Sequence, residues 1–180
     1  MDEGQEKLGG TGSRAYFASL NLKTMATGLV HLHNILRWII LILLVLSIFR
    51  AFTGLTGKKK FSEGDRKTWL FTMIAAHTTL LLGVIQWLFG RYGVFTHVRQ
   101  EEGSFMKDKF YRFYWLEHPL MMIIVITFIT LGYLQAKKPV ADAVKYRKAL
   151  IFFVLALLVV LAAMPWPFRT IVGRPLFPGM

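Results

Sequence analysis

The chain of 180 residues contains no cysteine. That excludes disulfides, thiolate metal sites, iron–sulfur clusters and covalently attached c-type haem, so any bound metal or haem iron must be held by nitrogen or oxygen. His, Asp and Glu remain as strong donors. Acidic residues are scarce, 10 against 22 Lys and Arg, which leaves a net charge of +12. There is also no Gly-rich phosphate loop, nucleophile elbow or carboxylate cluster, so nothing points to a hydrolase or transferase. No polar stretch between the apolar runs is long enough for a soluble domain, and neither an internal repeat nor a low-complexity tract is present.

What the chain has in quantity is apolar sequence. It is 54% hydrophobic with a positive mean hydropathy. Segregated apolar and basic segments explain that combination better than one globular core does. Four apolar runs, Leu29 to Phe52, Trp69 to Phe89, Phe113 to Leu134 and Ala149 to Trp166, have the roughly 20-residue length that crosses a bilayer. Aromatics gather near the run ends, among them Trp69, Trp87, Tyr92, Trp115, Tyr133 and Trp166, as expected for rings seated at headgroup level. The sequence therefore predicts an all-α integral membrane protein, a four-transmembrane-helix up-down bundle over residues 25–168. A polar, glycine-containing tail, 1–24, precedes it and is expected to be disordered; residues 169–180 form a C-terminal tail. The polar tail lacks the pattern of a signal peptide, and Met25 stands just before the first span as an alternative start.

The basic residues sit at the ends of the runs, where they meet phospholipid headgroups; the partner implied by the charge is the lipid bilayer, not nucleic acid. The first and third loops carry six and five basic residues, against five in the second loop, three in the N-terminal tail and two in the C-terminal tail. The expected cytoplasmic face is therefore that of loops one and three, with both termini outside.

Four of the five histidines, His31, His33, His77 and His118, fall inside spans, while His97 lies in the second loop and is expected to be solvated. Ionisable residues in a span are functional candidates by default; the plainer alternative is a ring that hydrogen-bonds a neighbouring helix and holds the bundle together. If spans one and three begin on the same side at Gly28 and Phe113, His33 and His118 both lie about 7.5 Å inside that surface, with His31 about 3 Å shallower and His77 about 18 Å deep. Two neutral imidazoles facing each other across a bundle are the usual way to hold b-type haem without cysteine. His33, His118 and His77 are the candidate metal ligands. The spacing in "HLHN" sets its two histidines about 200° apart, so they cannot easily ligate one iron. His31, Asn34 and Trp38 share one stripe; His33 and Arg37 share another. Which stripe meets the cofactor is open at this point.

Arg37 and Glu117 are the remaining intramembrane charges. Their simplest pairing is with each other; the functional alternatives are that Arg37 neutralises a haem propionate, or that Glu117 orients a ligating imidazole or relays a proton. Pro119 removes a backbone donor just after His118 and should loosen the helix there, a candidate opening toward lipid-soluble quinone.

The segments "HLHNILRW", "AAHTTLLLG", "EHPLMM" and "MPWPF" resemble those of small bacterial four-span membrane proteins catalogued as cytochrome B-like, over about Met25 to Phe168. The resemblance implies electron transfer in the bacterial inner (cytoplasmic) membrane with haem b, carried here by His31 or His33, His77 and His118. On the electron-transfer reading, quinone and a larger membrane redox complex are the expected partners. The plan is also similar to that of di-haem membrane cytochromes, which use two stacked histidine pairs, whereas here the fourth span has no histidine. Two function classes follow: an electron-transfer subunit, more an electron carrier than a stand-alone enzyme, or a haem-free accessory, structural or transport subunit.

Overall fold

In the computed structural model the backbone is described for residues 3–90, 92–97 and 106–177, and side chains for these residues from Thr24 onward except Thr96 and His97. The tail expected at 1–24, apart from the backbone that begins α1, and the loop histidine His97 thus fall outside the described side chains. Helix α1 runs Glu3–Thr56, α2 Glu63–Phe89, the single turns α3 and α4 Val94–His97 and Lys109–Arg112, α5 His118–Leu134 and α6 Asp142–Ala163. A π-helical turn, Phe113–Glu117, joins α4 to α5. Four helical stretches, Thr24–Thr56, Glu63–Phe89, Lys109–Lys137 and Asp142–Ala163, are long and apolar enough to cross a membrane. The protein is a multi-pass, all-helical bundle.

The spans overrun the apolar runs at six ends, by uncharged turns in the first and by charged residues in the second, third and fourth, whose long side chains reach the headgroup layer. The second ends at Phe89 as expected, and the fourth, expected to reach Trp166, stops at Ala163: Met164 is extended, the conformation that a following proline favours, and Pro165 follows. At the start of α2 a reciprocal cap forms, in which Ser62 accepts from the Asp65 amide while Asp65 accepts from the Ser62 amide. Such a box satisfies helix-terminal amides that water would otherwise have to reach.

The main packings form a ring, α1 on α2, α2 on α5, α5 on α6 and α6 on α1. This sets α1 diagonally opposite α5. On α6 the buried stripe is Ala149, Phe153, Ala156, Val160 and Ala163, a helical repeat whose small residues let neighbouring backbones approach. Gly132 on α5 serves the same purpose, since a methyl there would lie 2.5 Å from the Phe153 ring. One polar pair inside the bundle is made across helices: Ser47 and Thr72 share a buried hydrogen bond of 2.8 Å. The outer surface is apolar instead, with Phe49 62% and Leu81 62% exposed, the inverted pattern that a lipid solvent permits.

Candidate functional site

The third span changes pitch where its chemistry lies. Pro119 has no N–H to give to the carbonyl of Trp115 four residues back, and the indole N–H of Trp87 on α2 donates to that oxygen instead, at 3.1 Å. Just before it, the His118 amide bonds the Phe113 carbonyl five residues back. Such π-turns shift the register of every later side chain, and they recur at functional sites. The expected loosening at Pro119 thus takes the form of a π-turn with an indole in place of the missing donor.

That shift aims His118 inward. Its Nδ1–H donates to the carbonyl of Ala163 on α6 at 3.0 Å, an oxygen near the helix end with no amide of its own turn to take it. His118 lies in electrostatic reach of Arg37, and His33 in reach of both. The His33 ring rests on α2, where it meets the backbone of Thr79 and the bare face of Gly83, whose added methyl would stand 3.4 Å from Cε1. Because α1 and α5 are diagonal partners, the two imidazoles approach one bundle axis from opposite sides. The Nδ1 atoms of His31 and His33 and the Nε of Arg37 are buried without a hydrogen-bond partner.

His77 does not join them. Its side chain is on the exposed surface of α2, with Nδ1 bonded to the Met73 carbonyl of the preceding turn at 2.9 Å. Nor do Arg37 and Glu117 pair. Glu117 accepts from Arg112 Nε at 2.8 Å, since a residue five positions away across the π-turn is closer than one on the diagonal helix. Arg37 donates through Nη2 to the carbonyl of Leu176 at 2.7 Å and lies 5.4 Å from the ring of Trp38.

The C-terminal segment is therefore a structural part of the site, which the sequence reading missed. After α6 the chain turns through Arg174 N–H to Pro165 O at 2.9 Å. Tyr114 O–H donates to the Val172 carbonyl at 2.6 Å, and Arg174 donates to the same hydroxyl at 2.9 Å. Trp38 joins Arg37 on the Leu176 carbonyl at 3.0 Å and stacks on Phe177 at 5.6 Å. The strap thus ties the π-turn of the third span to α1 beside the histidines. A trace of it was present in the sequence, as the apolar Leu176 and Phe177 after the basic Arg174.

Among the described residues no group of three or more His, Cys, Asp and Glu is placed to hold a metal ion. What the bundle interior offers is a pair of imidazole nitrogens, the Nε2 of His118 left over by its Nδ1 bond and the unpartnered Nδ1 of His33. Comparison with family models, curated proteins and solved structures gives no match to this chain.

Proposed function

We propose that the chain is a membrane b-type cytochrome-like electron-transfer subunit of the bacterial inner membrane, with His33 and His118 as the residues that would hold haem b. The observation that carries this reading is the hydrogen bond from His118 to Ala163 O. With Nδ1 protonated and anchored, Nε2 keeps its lone pair and the ring its orientation, which are the two conditions of a ligating imidazole. His33 adds a buried nitrogen without a partner, a state that costs about 1–3 kcal/mol and that a ligand bond relieves. Haem, when bound, would supply one-electron chemistry.

The remaining residues have supporting roles in this reading. Arg37, near both imidazoles, offers the cation that a propionate needs. The strap covers that guanidinium and limits water. Glu117 is held by Arg112 and fits a proton relay at the π-turn better than a direct hold on His118. The exposed His77, given its bonded Nδ1, presents an acceptor on the lipid side where quinone travels, so it is assigned to quinone in preference to iron. The His118 bond also favours a second reading, because a histidine that only ties α5 to α6 makes the same contact; the chain would then be a haem-free accessory subunit.

Reduced-minus-oxidised spectra of the full chain purified from haem-replete cells separate the two. A Soret and an α band are expected, lost in His118→Ala and His33→Ala, retained in His97→Ala, and retained in His77→Ala with slower reoxidation by quinone. A folded wild-type protein that purifies colourless would overturn the cytochrome reading.

A further inference from the structure

The opposite end of the bundle holds a cleft that the histidine site does not use. It has a volume of about 440 Å³ and is lined by Leu46, Phe49, Arg50, Thr53 and Gly54 of α1, Lys59, Lys60 and Ser62 of the first loop, and Asp65 and Tyr146. That volume is within the roughly 300–1,000 Å³ range of small-molecule sites. Its walls change character along one line. The α1 residues recur at intervals of three and four, which makes them one helix stripe, apolar at Leu46 and Phe49 toward the bilayer interior and basic from Arg50 outward.

Three cations face one carboxylate there. Asp65 is already engaged: it accepts from Tyr146 O–H at 2.7 Å, from the Ser62 hydroxyl at 2.7 Å and amide at 3.0 Å, and from Arg50 at 3.3 Å. Those donors leave Lys59 and Lys60 with no carboxylate of their own among the cleft's residues, while the Arg50 side chain stays 45% exposed. The lysines are brought to the cleft by a tight helix end, in which the Lys59 amide bonds the Gly54 carbonyl at 3.0 Å and Lys58 takes a left-handed φ of 48°. A non-glycine residue in that conformation is strained.

We propose that this cleft binds an anionic phospholipid of the surrounding leaflet, its phosphate among Arg50, Lys59 and Lys60 and one acyl chain along Leu46 and Phe49. The polarity gradient of the cleft matches that of a phospholipid, and its charge selects against zwitterionic headgroups. The inference is independent of haem.

Native mass spectrometry of the full chain in detergent tests it, with phosphatidylglycerol, phosphatidylcholine and inorganic phosphate as separate probes. Phosphatidylglycerol should be retained and phosphatidylcholine should not. Lys59→Gln with Lys60→Gln should weaken phosphatidylglycerol binding roughly thirtyfold, from about 1 kcal/mol per basic residue at the surface. Lys138→Gln with Lys148→Gln makes the same charge change at exposed positions of the same end and should leave binding intact. Equal losses in the two double variants would show diffuse attraction and overturn the site. Inorganic phosphate that binds as well as phosphatidylglycerol, and is lost in the same variant, would overturn the lipid assignment.

Discussion

At the first-loop end, the buried carboxylate of Asp65 is met by Ser62, Tyr146 and Arg50, and Tyr146 in turn packs in a cluster with Phe61, Trp69 and Phe153, with ring centroids 5.0 to 6.1 Å apart. At the strap end, buried nitrogens of His31, His33 and Arg37 have no partner. The first-loop end has orphans too, the Trp69 indole N–H and the Gln135 amide oxygen, but these are neutral groups on separate helices. At the strap end the orphans are basic groups, all of them on α1. Buried polar groups are expensive unless paired, so the contrast is between an end whose buried charge is satisfied and an end that carries uncompensated basic nitrogens.

The largest expected effect comes from breaking the satisfied end. Asp65→Ala leaves the buried Tyr146 O–H, the Ser62 groups and Arg50 without their shared acceptor, and should cost about 3 kcal/mol, the upper end of the range for leaving a buried donor unsatisfied. In haem-free protein, where both variants are compared, His118→Ala, which removes one hydrogen bond to Ala163, should cost about 1 kcal/mol. Thermal unfolding of the two variants in one detergent compares them directly. A larger loss in the histidine variant would reverse the contrast between the two ends.

Gly132→Ala comes next. The added methyl would stand 2.5 Å from Phe153, whose ring is fully buried against Trp69 and has nowhere to turn. Overpacking of this kind costs about 2 kcal/mol. Gly83→Ala, at the other end, meets His33 only at 3.4 Å, ordinary contact, and should change stability little. Parallel melting curves of the two glycine variants test whether tight packing is confined to the first-loop end.

These expectations also mark what was legible in the sequence. Length and polarity determine spans, and all four were readable. Facing was not, because a helix apolar all round gives no stripe to follow. His77 is the example: it neighbours the buried Ala76 yet turns to the exposed surface, and its depth in the span says nothing of the direction its ring faces. Pro119 signalled a disturbed helix correctly, but neither the π-turn nor Trp87 as the replacement donor follows from local sequence. The Arg37–Glu117 pair failed for the same reason. Local charges compete with distant ones, and Arg112 lay closer to Glu117 than the depth argument considered.

A smaller effect sharpens the functional side. In haem-free protein, His33→Leu should change stability by less than about 1 kcal/mol, since the gain from removing an unpartnered buried nitrogen is offset by the lost hydrogen bond to the Thr79 backbone, while an apolar filling is kept over Gly83. The same variant should lose any Soret band in haem-replete cells. Thermal unfolding of apo wild type and variant is the check, and a marked loss of stability would make His33 a structural residue instead.

The smallest effect tests the one strained residue at the satisfied end. Helix α1 ends with the Lys59 amide on Gly54 O and the Lys58 amide on Leu55 O, the pattern in which the residue after the cap takes a left-handed conformation and is usually glycine. Here Gly57 precedes that position and Lys58 occupies it, with φ 48°. Relief of the strain favours glycine by about 1 kcal/mol, and the greater freedom of glycine in the unfolded chain offsets about half of that. Lys58→Gly should therefore stabilise the protein by roughly 0.5 kcal/mol. Because Lys58 does not line the basic cleft, phosphatidylglycerol retention should be unchanged, whereas it falls when Lys59 and Lys60 are replaced. A destabilised Lys58→Gly protein would mean that the lysine side chain makes a compensating contact, and the strain would then have no bearing on how the loop presents its neighbours.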